Sequence, residues 1–258
     1  PIILCVAILV FTLMTFCPGD PAAIVLGSSA TEEDMNLMRE SLGLNRPFLV
    51  RLGTYLRDAF LHFDLGRSYL TKVSIADSIR EYLPRTMLLT IITMLISVGL
   101  ALPLGITAAT HQGRWQDTVC MVFALIGISV PSFWLALLLI LEFSVKHAWL
   151  PAMGIGGLKY YILPAISGSL GGVASLARQT RSSMLDVIRA DYITTARAKG
   201  VSERNVITRH ALKNALIPII TVIGTQFGRQ LGGTRVIETI FGIPGMGQFI
   251  ITGVNQRD

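Results

Sequence analysis

Hydrophobic positions in this chain collect in blocks rather than along amphipathic faces. Pro1 to Phe16 is apolar and uncharged. Thr86 to Thr110 carries no charge over 25 positions, Thr118 to Leu141 none over 24, and Tyr160 to Ala177 none over 18. Asn214 to Phe227 is a shorter uncharged run of 14, followed by Arg229. A hydrocarbon core about 30 Å thick takes about 20 apolar residues per helix. The second, third and fourth blocks meet or approach that length. The fifth reaches it only by running on through Gly228 to Ile237, with Arg229 or Arg235 turned to protein or water. A buried helix of a soluble protein accounts for one such run but not for five in one chain. A membrane β-barrel would instead show alternating segments of roughly ten residues. The pattern predicts an all-α polytopic membrane protein with about five spans.

Composition agrees. Of 258 residues, 52% are hydrophobic and 15% charged, and mean hydropathy is +0.59. Soluble domains carry about 25% charged residues, so an ordinary cytosolic domain, a disordered chain and a collagen-like repeat are set aside. Three cysteines are too few for a disulfide scaffold. The first block lacks the basic flank and the small-residue cleavage site of a secretory signal. It is expected to be a first membrane helix, residues 1–17, whose start is missing.

Charge sets the expected orientation. Between Ala177 and Asn214 there are eight basic and three acidic residues, which accounts for +5 of the chain's formal +6. The positive-inside rule places this loop, residues 178–213, in the cytoplasm. A nucleic-acid patch is the competing reading of a basic cluster. It is disfavoured because the loop is short, pinned between apolar spans and has Tyr192 as its one aromatic residue. Alternation then puts 146–159 outside and 111–117 inside. Residues 18–85 lie outside, and 86–258 form the transmembrane domain.

The outer segment reads as short helices. Pro18-Gly19-Asp20-Pro21 is a turn, because proline blocks helix continuation and glycine permits positive φ. Thr31 followed by Glu32, Glu33 and Asp34 is a helix start running to about Ser41 and stopping near Gly43. Further helices are expected over Pro47 to Leu61 and Ile75 to Leu83.

The spans contain many prolines and glycines, among them Pro103, Gly105, Pro131, Pro164, Gly172 and Pro218. These suit a pathway of kinked helices or ordinary close packing, and both readings stay open. The spans have no internal acid of the sort that coupled carriers use. The chain has neither a G-x-x-x-x-G-K-[ST] loop nor an H-E-x-x-H motif. Its four histidines show no metal-ligand spacing. An ATP-independent secondary carrier or channel and an intramembrane enzyme are therefore the less favoured readings.

The cytoplasmic loop is patterned. Leu185, Ile188, Tyr192 and Thr195 recur at helical spacing, as do Val206 and His210. Gly200 is a natural residue to follow a helix end, and Ser202 can N-cap the next helix. The reading is helix, tight turn, helix, with small side chains suited to close docking against another protein.

Asp191-Tyr192-Ile193-Thr194-Thr195-Ala196-Arg197-Ala198-Lys199-Gly200, then Arg209-His210-Ala211-Leu212-Lys213-Asn214-Ala215-Leu216-Ile217-Pro218, resembles the permease loop of bacterial ABC importers. Ala196, Gly200 and Leu212 match its general signature. Thr194, Thr195, His210 and Lys213 depart from it in the manner of the dipeptide, oligopeptide and nickel permease branch. Pro18-Gly19-Asp20-Pro21, Asp64-Leu65-Gly66-Arg67-Ser68, Ser129-Val130-Pro131-Ser132-Phe133-Trp134, Glu238-Thr239-Ile240-Phe241 and Ile243-Pro244-Gly245-Met246-Gly247 are similar to further marks of that branch. The resemblance covers almost the whole chain.

The resemblance implies a type I importer permease of six spans, so residues are expected to be missing at both ends. It implies a cytoplasmic-membrane protein that is a transport subunit and not an enzyme. It also implies a second permease subunit, two ATPase subunits holding ATP and Mg, and an extracytoplasmic solute-binding protein. No cofactor or metal is expected in this chain. Asp191, Tyr192, Thr194, Thr195, Ala196, Arg197, Ala198, Lys199, Gly200 and Ser202 would couple to an ATPase. Di- or oligopeptides are the implied substrates, with nickel or a metal chelate as the alternative.

Overall fold

The computed structural model describes residues 1–16, 20–27 and 30–256. The turn expected at Pro18-Gly19, and Cys17 at the end of the first block, lie outside the described residues. The described residues form thirteen α-helices and two π-helical stretches. They divide into one unit of residues 1–83 with 249–258 and another of residues 84–248.

In the first unit, α1 (Ile2–Phe16) is apolar along its length. Phe11 of α1 stacks on Tyr55 of α4 (Phe48–Leu61) at 5.1 Å, and Phe16 meets Phe48 at 5.7 Å. Asp20 N-caps α2 (Pro21–Leu26) by accepting from the Ala22 N–H, and Pro21 opens the helix where no donor is needed. Arg39 of α3 (Glu32–Ser41) binds the same Asp20 carboxylate through Nε at 2.6 Å. Thr31 caps α3 in a reciprocal box with Asp34, as its sequence predicts.

A separate outer helix ending at Leu83 is not found. Its start opens α5 (Ile75–Thr110), which continues through Pro84. Proline removes one backbone bond, here to the carbonyl of Arg80. Arg80 is exposed, so that carbonyl need not be buried unpaired.

In the second unit, α6 (Trp115–Ser129) and α7 (Ser132–Leu139) replace the single span expected over 118–141. The chain bends by 92° between them. Val130 has ψ 117°, out of the helical region. The ring of Pro131 disfavours helical geometry in the preceding residue, which explains the break. A π-helical stretch, Ile140–Lys146, extends α7.

The central helix is α8 (Lys159–Ile188), which packs on α6, α7 and α11 (Leu212–Gly233). Met184, Leu176 and Ala177 of α8 join Ala101 of α5 and Ala215 and Ile219 of α11 in one buried core. Leu163 and Tyr161 join Leu89, Phe241 and Ile243 in another. α5 and α8 approach so closely at Gly105 that a Cβ there would strike Thr180. Leu95, Phe123, Leu125, Trp134 and Ile217 point outward, the inverse of a soluble surface and the pattern expected of a helix bundle in lipid. Two of the buried hydroxyls of α5 are satisfied within the helix. Thr93 donates to the Leu89 carbonyl at 2.7 Å and Ser97 to that of Thr93 at 2.9 Å.

Candidate functional site

The loop from α8 to α11 is helical over most of its length. Ala190 breaks α8 from α9 (Asp191–Ala198). Val201 N–H then reaches back to the Ala196 carbonyl at 3.3 Å, and Gly200 N–H to that of Arg197 at 2.9 Å. This double return is a Schellman motif. It requires a residue of positive φ after the cap, and Gly200 supplies φ 78°. Ser202 stands at the N-cap of α10 (Glu203–Asn205), but its side chain makes no capping bond. The second helix of the loop does not stop short of the membrane block. It passes through a π-helical stretch, Val206–Ala211, directly into α11.

α9 has two faces. Ile193 is fully buried and Ala196 is 8% exposed, both packed in the core with Met184, Val206, Ala211 and Ala215. Asp191, Tyr192, Thr194, Thr195, Arg197, Ala198, Lys199 and Gly200 are exposed. Of the residues that the sequence assigns to docking, Ala196 thus belongs to the inner face. Thr194, Thr195 and Ala198 present small side chains to the outside.

Polar ties fix this helix. Arg197 grips Glu203 in a fork, Nε to Oε2 at 3.0 Å and Nη2 to Oε1 at 2.7 Å. That hydrogen-bonded guanidinium holds the Glu203 carboxyl below the usual range, and the Arg197 pKa is raised in turn. Asn214 Nδ2 donates to the Tyr192 hydroxyl at 2.8 Å and to the His210 carbonyl at 3.2 Å.

A second fork was hidden in the sequence. Arg181 of α8 binds Asp117 through Nε and Nη2, both at 2.7 Å, and the Gly113 N–H adds a bond at 3.1 Å. It fastens the turn before α6 to the end of α8 that leads into the loop. An acid just before one apolar block and a base just after another are the only sequence signal for it. Among the described residues, no group of three or more His, Cys, Asp and Glu side chains comes together as a metal site.

A bundle of apolar helices carrying a braced, exposed hairpin of small residues defines a polytopic helical membrane protein. Residues 101–258 match the family described as "Binding-protein-dependent transport system inner membrane component", and residues 1–90 match its N-terminal companion. The chain belongs to that family, in the dipeptide, oligopeptide and nickel branch of ABC importer permeases. A protein of Brucella abortus with the provisional name of peptide transport system permease protein is 44% identical over 266 residues, covering 100% of this chain and 84% of that one. The glutathione transport system permease protein GsiC of Escherichia coli O6:H1 is 41% identical over 258 residues, with the same two coverages, 100% and 84%. A crystal structure of an amino acid ABC transporter with histidines shares the fold, at a TM-score of 0.51 and 17% identity over 70% of this chain and 80% of that one. The protein is therefore a multi-pass permease subunit of the inner membrane and not an enzyme.

Proposed function

We propose that this permease admits di- or oligopeptides and is driven by separate ATPase subunits that dock on the outer face of α9. The observation that carries the docking assignment is the division of labour within one short helix. Ile193 and Ala196 anchor it, while Thr194, Thr195 and Ala198 offer a low-relief surface that a partner groove can approach closely. The helix is braced at both ends, so force applied to it passes to α8 and α11 rather than being lost in loop motion. Such transfer suits rigid-body switching between two states. ATP and Mg would be held by the ATPase partners.

The basic loop 178–213 would lie in the cytoplasm. Residues 18–85 and 146–159 would then be outside, available to a solute-binding protein, and a second permease would complete the membrane assembly. The peptide reading draws on the peptide- and glutathione-named relatives. The direct test is ligand binding to the partner solute-binding protein, with di- and oligopeptides set against nickel chelates. Binding of peptides and not chelates is expected, and the reverse would overturn the substrate assignment.

A further inference from the structure

Glu238 of α12 (Arg235–Ile240) is a fully buried acid. Its Oε1 accepts from the Thr86 hydroxyl at 2.7 Å and from the Thr234 hydroxyl at 2.8 Å, and its Oε2 accepts from the Gln248 N–H at 3.1 Å. The Thr86 oxygen in turn accepts from the Met246 N–H at 2.8 Å. Hydroxyl and carboxylate thus form a relay that captures two backbone donors of one segment. Arg85, beside Thr86, adds a bond from Nη1 to the Pro244 carbonyl at 3.3 Å. The segment is shaped to fit: a Cβ on Gly245 would strike both the Glu238 carboxylate and the Thr86 hydroxyl. One on Gly247 would lie 2.9 Å from the Arg235 backbone and from Glu238 Oε2.

We propose that Glu238 is a positioning residue which, with Thr86, fastens the 241–248 segment to α5 and holds it there throughout the transport cycle. The inference rests on the importer reading. On the orientation proposed above, this segment lies at the extracytoplasmic mouth, where substrate is received. Stripping a buried carboxylate of its donors is among the costliest local changes a fold can undergo. A moving joint is therefore not built through it. The segment travels with the Arg85–Thr86 turn of α5 as one block, and switching occurs elsewhere in the bundle.

The test uses the complete transporter, with its ATPases and binding protein, in lipid nanodiscs and proteoliposomes. Amide hydrogen exchange over 241–248 is followed in the nucleotide-free and vanadate-trapped states. Thr86→Val keeps the shape and loses the hydroxyl, Thr86→Ser keeps the hydroxyl, and Glu238→Gln turns an amide donor onto other donors. Wild-type exchange is expected to be equally slow in both states. Thr86→Val and Glu238→Gln should speed it by roughly tenfold to a hundredfold, as for lost hydrogen bonds to a charged group. Uptake should fall by a comparable factor while exchange at 191–199 and basal ATP hydrolysis stay unchanged. Thr86→Ser should behave as wild type in every readout. The proposal is overturned if trapping releases the wild-type segment, a measurement that needs no variant. It is equally overturned if Thr86→Val and Glu238→Gln transport normally. Failure of the importer reading would look different: the wild type would show no ATP-dependent uptake, and the exchange contrast between Thr86→Val and Thr86→Ser would still be legible.

Discussion

Ile193→Ala probes whether α9 transmits force as a rigid element. Ile193 is 0% exposed and meets the core of Met184, Ala211 and Ala215. The helix belongs to the loop between membrane blocks, so the magnitudes known for water-soluble cores apply to it. Truncating a buried isoleucine to alanine costs about 2–5 kcal/mol, and truncation to valine about 1. α9 has eight residues, of which Ile193 and Ala196 are the two buried. The loss therefore falls on local opening of α9 before it reaches the bundle. Some 3 kcal/mol corresponds to roughly a 150-fold rise in the opened population. Arg197, inside the helix, is a tryptic site that reports this opening, because cleavage tracks the open fraction when reclosing is fast. In inside-out vesicles, Ile193→Ala should be cut after Arg197 about a hundredfold faster than wild type, and Ile193→Val only about fivefold faster. ATP-driven uptake should fall in the same order. Cleavage of Ile193→Ala at the wild-type rate would refute the anchoring argument. Faster cleavage with uptake intact would refute the idea that a rigid α9 is needed.

Four further outcomes follow from the same geometry. Ala198→Trp, on the exposed face, should abolish ATP-driven uptake with tryptic protection of α9 retained, whereas Ala196→Trp should lose that protection by overpacking a buried site. Gly200→Ala forces a side chain into the left-handed region and should destabilise the loop by about 1–2 kcal/mol, read as faster cleavage at Arg197, with Gly200→Asn milder. Because the folded-state pKa of Glu203 is depressed from its ordinary 4.5, the Arg197–Glu203 tie is fully present above that value and lost as pH falls through the depressed one. Hydrogen exchange at 191–199 should accelerate on acidification, and Glu203→Gln should remove that dependence. Asp117→Asn leaves Arg181 half-paired and should loosen 111–117, measured as faster labelling of a cysteine placed at exposed Arg114.

Much of the architecture was legible because the uncharged blocks over 86–110 and 160–177 are long, and lipid demands that their backbone bonds be made within one helix. The caps of α3 and α9 were legible for a similar reason, since Thr31 and Gly200 act on neighbours a few residues away. Reading failed where a local signal met a stronger or more distant one. Pro84 looked like a boundary, yet α5 passes through it. Pro131 sat inside an uninterrupted apolar block, and the constraint it places on Val130 outweighed the continuity of hydropathy. Thr86 and Glu238 are 152 positions apart, so no pattern along the chain announced that pair, and Asp117 and Arg181, 64 apart, showed only their places at the edges of two apolar blocks.

Transport reconstituted with the ATPase subunits and the solute-binding protein bears most directly on the account. Uptake of a labelled oligopeptide into proteoliposomes should require ATP, be indifferent to an imposed ion gradient, and vanish in Ala198→Trp while the permease remains inserted. Uptake driven by an ion gradient without ATP, or undiminished uptake by Ala198→Trp, would contradict it.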